Sequence, residues 1–190
     1  MRRLILGVGV CALLATAAHA GPELEHGVLA EINFVRAHPH EYAEQLREGD
    51  MTPTTREAIA WLETREPAPP LRPEPGLGVS AAGHAADQGE NDSFEHTGSD
   101  GTAPYQRMQR QGVWAGMLAE EMAAGETTPA DVVRALIVDE GVPDRGHRKD
   151  LLDPALRRAG VGCAPHPTYR VICVVDLASS APGEYSTAAR

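Results

Sequence analysis

Two histidines and two acidic pairs fall between Asn91 and Arg148: His96, Glu120-Glu121, Asp139-Glu140 and His147. Two imidazoles and two carboxylates converging on one cleft would bind a divalent metal, polarise a water or hold a polar head group. No short regular pattern joins the four residues. Their meaning therefore rests on the elements that position them.

Met117–Ala124 reads as a strand, and alternation puts Glu120 on one face with Leu118 and Met122. That is the more strongly apolar, inward face, while Glu121 shares the other with Ala119 and Ala123. A buried carboxylate needs a partner, which a nearby imidazole or a metal would supply. The bland alternative is a structural hydrogen-bond acceptor. Thr128-Pro129-Ala130-Asp131 opens a helix, with Thr128 as N-cap and Pro129 at the first position. It runs to about Glu140 and ends at Gly141 and Pro143. Asp139 continues the packing stripe of Val132, Ala135 and Leu136, and Glu140 continues that of Val133 and Ile137. Periodicity does not choose sharply between the two acids, and Asp139 is preferred.

Asp144 is expected to cap a short helix with His147 in its first turn, where the helix dipole disfavours imidazolium. A neutral ring there suits a metal ligand or a base, and equally a hydrogen-bonding partner for a loop. Arg148 either fixes a carboxylate or is solvated. His96 lies in a loop, Phe94-Glu95-His96-Thr97-Gly98-Ser99-Asp100-Gly101. Ser99 near it suggests a serine hydrolase, but the chain has no G-x-S-x-G elbow. It has no H-E-x-x-H either, which removes the common zinc protease plan. His84, in a helix over Leu77–Gly89, reads as a packed core histidine. His38 and His40 flank Pro39 on a surface turn and carry no assigned role.

The surrounding elements are short. Leu24, Val28, Ile32 and Val35 recur at helical spacing over Glu23 to about Arg36. Short helices follow at Glu41–Leu46 and Thr54–Thr64. The stretch Pro67–Pro75 then breaks regular structure and reads as a surface crossing within one domain. Pro104–Arg110 is a further short helix.

Met1–Ala20 has the Arg2-Arg3 start, apolar run and Ala18-His19-Ala20 end of a secretory signal peptide. Its removal leaves residues 21–178 as one domain, with a frayed tail at 179–190. It also takes the formal charge from -10 to -12, since Arg2 and Arg3 go with it. So acidic a chain would be repelled by phosphate backbones, which argues against nucleic acid as partner. No stable membrane anchor is expected. Cys163 and Cys173 then remain, each in a β-prone run on either side of a hairpin loop at 164–170. An even count in an exported chain favours a disulfide between them.

Several short pieces, in this order, resemble the CAP superfamily of cysteine-rich secretory, antigen 5 and pathogenesis-related proteins. They are Asn33-Phe34-Val35-Arg36 with Pro39 and Tyr42-Ala43; Leu77 through His84-Ala85-Ala86-Asp87; Phe94-Glu95-His96-Thr97; Ala119-Glu120-Glu121-Met122-Ala123; Arg145-Gly146-His147-Arg148; and Gly160-Val161-Gly162. The resemblance implies an α+β fold, a three-layer α-β-α sandwich around a small antiparallel sheet. It implies a cleft tetrad of His96, Glu120, Asp139 and His147, with His96 and His147 as the metal ligands. Three departures stand out: Glu121 where an Asn is usual, Asp139 where a Glu is common, and Leu136 in place of a tryptophan.

Members of this family are secreted and do varied things, so fold underdetermines function. The first reading is a secreted, extracellular or periplasmic binding domain for a small molecule, lipid or protein. No cofactor is required, although the cleft could hold zinc or another divalent metal. The second is a metal-assisted hydrolase with Glu120 as base. The third is an interaction module whose cleft residues are structural.

Overall fold

A computed structural model describes residues 21–180. The expected signal peptide, and all but the first two residues of the expected tail, lie outside them. The helices are α1 (Pro22–Ala37), α2 (Pro39–Arg47), α3 (Pro53–Leu62), α4 (Pro75–Glu90), α5 (Pro104–Arg110), α6 (Pro129–Val138) and α7 (Gly146–Leu151). The strands are β1 (Arg72–Pro73), β2 (Leu118–Ala124), β3 (Leu156–His166) and β4 (Arg170–Ser179). They form one sheet in the order β1-β3-β4-β2. The architecture is α+β, with helices on both faces of a small sheet. The sheet is not wholly antiparallel, because β1 pairs with β3 in parallel over two residues. The crossing from α1 into β1 is fixed by side chains. Asn33 donates to Leu71 O at 3.0 Å and accepts from Leu71 N at 2.7 Å. Buried Arg36 donates to the carbonyls of Pro69, Leu151, Asp153 and Leu156.

Alternation along the strands divides the core in two. Ala123, Val161, Cys163, Cys173, Val175 and Leu177 face the layer built from α1, α2, α3 and α6. Met122, Ala164, Ile172 and Val174 face Ala81 and Ala85 of α4. Gly160 and Gly162 let α4 lie almost on the sheet. A Cβ on Gly160 would sit 2.0 Å from Gly78 N, and one on Gly162 2.2 Å from Ala82 N. Both faces of β2 are therefore covered, which the alternation argument did not anticipate. Glu120 and Glu121 are both buried, and Glu121 is the deeper.

Cys163 and Cys173 face each other across β3 and β4 and form a disulfide. Closing so short a loop contributes about 2–3 kcal/mol in the chain-entropy account. The tail was expected from Ser179, but that residue ends β4 and its N–H donates to Met117 O at 3.0 Å.

Candidate functional site

The four expected residues fall into two hydrogen-bonded pairs. On the α4 face of β2, Glu120 Oε1 accepts from His96 Nδ1 at 2.9 Å. Arg107, carried by α5, reaches the other oxygen at 2.5 Å and also donates to the carbonyls of His96 and Thr102. His84 is buried beneath this pair. Its Nε2 lies 2.9 Å from Glu95 O and 3.8 Å from Glu120 Oε1. Burial pushes the His84 ring toward its neutral form. Burial also pushes Glu120 up, but the bonds from His96 and Arg107 outweigh it and hold the carboxyl below its ordinary value. The Glu120 side chain is 1 % exposed and that of His96 52 %. Glu120 is thus an ionised group with both oxygens engaged. Burial pushes the carboxyl of its cross-strand neighbour Asp176 up to about 8, an effect that the charge of Arg107 only partly offsets.

On the opposite face, His147 Nδ1 lies 2.7 Å from Asp139 Oδ1. Here the structure corrects two local expectations. Helix α6 stops at Val138, and Asp139 turns into the left-handed region at φ 60°. The N-cap of α7 is Arg145, also left-handed at φ 56°, and not Asp144. Two arginines hold this bend. Buried Arg148 donates to the carbonyls of Ile137 and Val138 at the end of α6. Arg145 donates to those of Asp139 and Val142. Cations serving the last carbonyls of a helix are a familiar C-terminal device. Glu140, the alternative acid, is exposed and lies near Thr52.

Sequence reasoning passed over two groups here. Glu121 Oε2 lies 3.7 Å from His147 Nε2, and the other Glu121 oxygen is buried without a partner. Burial pushes its carboxyl up to about 9, with Asp150, Asp139 and Glu120 adding to the effect. Arg107, the cation that fixes Glu120, lay inside a helix to which no role was assigned. The usable signal was composition: a strand carrying two adjacent acids, with both faces covered, must neutralise both.

The His147 half opens onto a hollow. A cleft of about 260 Å³ is bounded by His147 and Asp139 on one side and by Phe94 and Tyr169 on the other. The two aromatic rings meet edge-on with centroids 5.8 Å apart, and both are exposed. The floor is Met122, Ala123 and Ala124 of β2.

Residues 29–177 match the cysteine-rich secretory protein family, CAP. The chain belongs to that family. An uncharacterized protein of Bacillus subtilis, YkwD, is 31 % identical over 93 residues, which is 49 % of this chain and 34 % of that protein. An extracellular protein of Bacillus anthracis containing an SCP domain is similar in structure, with a TM-score of 0.52 and 22 % identity. That match covers 70 % of this chain and 45 % of the other. An outer surface protein of Borrelia burgdorferi gives a TM-score of 0.51 at 19 % identity, over 80 % of this chain and 94 % of the other. The chain thus spans about a third of the curated relative and about half of the Bacillus anthracis protein. At these identities the structural likenesses establish the fold alone.

A metal was the further implication of the resemblance. Each imidazole turns Nδ1 to a carboxylate, which leaves Nε2 as the ligand atom, the usual outer-shell arrangement of a metal-binding histidine. The grouping does not follow. Among the described residues no three His, Cys, Asp or Glu side chains come together as a metal site. Glu120, which holds His96, lies on the α4 face of β2, and Asp139, which holds His147, follows α6 on the other side.

Proposed function

We propose that this CAP domain is exported and acts by binding, with its ligand seated in the cleft between His147 and the Phe94–Tyr169 pair. The observation that carries the reading is that cleft. It joins a hydrogen-bonded His–Asp pair to an exposed aromatic wall at one concave place, the usual make-up of a ligand site. The ligand would set a polar group against His147 and an apolar one against Phe94, Tyr169 and Leu136. Export is supported by the signal-like Met1–Ala20 segment, the disulfide, and relatives described as extracellular or outer-surface proteins. No helix among the described residues is long and apolar enough to cross a membrane.

No step of this binding mode runs through a metal. Nor does any observation favour hydrolysis with Glu120 as base: both its oxygens are engaged and its side chain is closed to the cleft. A fragment screen by amide chemical-shift mapping tests the proposal, using small aromatic, amine and carboxylate compounds. Hits should cluster at Met122–Glu126, Asp139–His147 and Phe94, and weaken in Tyr169→Ala. Hits scattered elsewhere, or none, would overturn it.

A further inference from the structure

The floor of the cleft is three consecutive strand residues, Met122, Ala123 and Ala124. Successive side chains of a strand point to opposite faces, so no cleft confined to one face touches three in a row. The cleft must lie along the edge of β2, and β2 is the end strand of its sheet.

The hydrogen-bond parity says what that edge presents. Next to β2, Gly125 N–H donates to Val171 O, and Ser179 N–H donates to Met117 O. Both bonds to β4 thus run through odd-numbered residues of this segment. Antiparallel pairing alternates, so Ala119, Glu121 and Ala123 turn their N–H and C=O toward β4. Glu120, Met122 and Ala124 turn theirs away, to the free edge. Parity on the far side of the sheet agrees: Ala159 O and Cys163 N–H point away from β4, to Glu74 N and Glu25 Oε1. Among the described residues, no backbone or side-chain group bonds the main chain of Met122 or Ala124 at that edge. Met122 is a buried residue, and buried main-chain groups are almost always paired.

Charge narrows the occupant. Glu126, Glu140 and Ala135 line this cleft and also a second hollow of about 650 Å³, where Asp50, Asp131 and a single arginine, Arg134, join them. Glu126 Oε2 is buried without a hydrogen-bond partner. The surroundings of the edge are therefore acidic, in a chain of formal charge -10.

We infer that the cleft takes an extended peptide, which adds as a strand to the free edge of β2 through the N–H and C=O groups of Met122 and Ala124. The peptide carries a basic side chain toward Glu126 and Glu140 and an apolar one toward Phe94 and Tyr169. Strand addition takes its affinity from the main chain and its selectivity from alternate side chains. The inference rests on the cleft reading above and names its ligand class.

The probe is the blocked heptapeptide acetyl-(Lys-Val)₃-Lys-amide, beside its Glu-for-Lys counterpart. Two further versions of the basic peptide are N-methylated at alternate amides, one for each edge. Titration against the full chain, followed by calorimetry and amide hydrogen exchange, should give three results. The basic peptide binds at least about tenfold tighter than the acidic one, and binding weakens as salt rises. Methylation of one edge weakens binding at least about tenfold, and methylation of the other is tolerated. Exchange slows at the amides of Met122 and Ala124. Equal affinity of the two methylated versions would overturn main-chain pairing, and equal affinity of acidic and basic peptides would overturn the charge assignment. Protection of the same amides in a concentration-dependent dimer without peptide would assign the edge to a second copy of this chain, and would also overturn the inference. Fragments that fill the cleft while no peptide binds would overturn this inference alone and leave the cleft reading standing.

Discussion

The two histidine–carboxylate pairs have the same chemistry and opposite settings. At His96, the carboxylate is closed off from solvent and locked by Arg107, while the ring is exposed. At His147, the ring looks into a cleft, and the adjacent Glu121 has no guanidinium to answer it. One end is an ion-pair network in which Glu120 has both oxygens engaged and only the exposed His96 ring remains open. The other keeps an imidazole, the carboxyl of Glu126 with an unpartnered oxygen, and a free strand edge within one hollow. Similar residues in similar pairs are thus divided by one cation into a structural end and a binding end.

Removing that cation should produce the largest effect. Arg107→Met leaves Glu120 charged and buried with only histidines nearby, and breaking such a pair costs about 3–5 kcal/mol. His147→Ala leaves Asp139 near the N–H of Arg148, beside a cleft that admits water, and should cost about 1–2 kcal/mol. Urea denaturation of both variants measures the difference. Similar costs for the two would break the distinction between the ends.

Most of the fold was legible in the sequence. Helical periodicity gave α1 and α4, the Thr128-Pro129 start gave α6, the β-prone cysteine runs gave the disulfide hairpin, and Met117–Ala124 was read as the strand that β2 is. The site was legible only in part. Alternation along Met117–Ala124 assigns one face inward and one outward, and that logic fails for a strand covered on both faces. Glu121 was missed for this reason. The bend at Asp139 depends on Arg145 and Arg148, whose bonds form only after α7 has folded back. No local propensity places an aspartate in the left-handed region there. The two-residue β1 is equally invisible, because its pairing is set by Asn33 and Arg36 far upstream.

The second effect is one of sign. Glu120 is held below its ordinary value, so its contribution is present above the unfolded carboxylate range and is lost as pH falls below it. Glu121 is pushed up to about 9, so its contribution is complete below about 4.5 and is lost as pH rises to about 9. Stability curves should therefore diverge from wild type in opposite directions. Glu121→Gln should match wild type at low pH and gain on it steadily toward pH 9. Glu120→Gln should lose most at neutral pH and recover toward wild type in acid. Parallel curves for the two variants would mean that the adjacent acids share one environment, against their opposite faces.

The smallest effect on stability should fall at the aromatic wall. Phe94 and Tyr169 are 42 % and 40 % exposed, so truncating either to alanine removes little buried area, their edge-on contact and, for Tyr169, a tilted contact with the His166 ring. The cost should be about 1 kcal/mol or less. The effect on binding should be out of proportion to it, because these rings form the apolar side of the only cleft that His147 lines among the described cavities. Tyr169→Ala should keep the melting profile and lose fragment binding at Met122–Glu126. Met108→Ala, in the sealed core beneath α5, should do the reverse, losing about 2–5 kcal/mol and sparing the cleft. The pair of variants asks whether binding follows the open end or overall stability. If Tyr169→Ala binds as wild type does, the aromatic wall has no part in the site, and the ligand must be held by His147 and the strand edge alone.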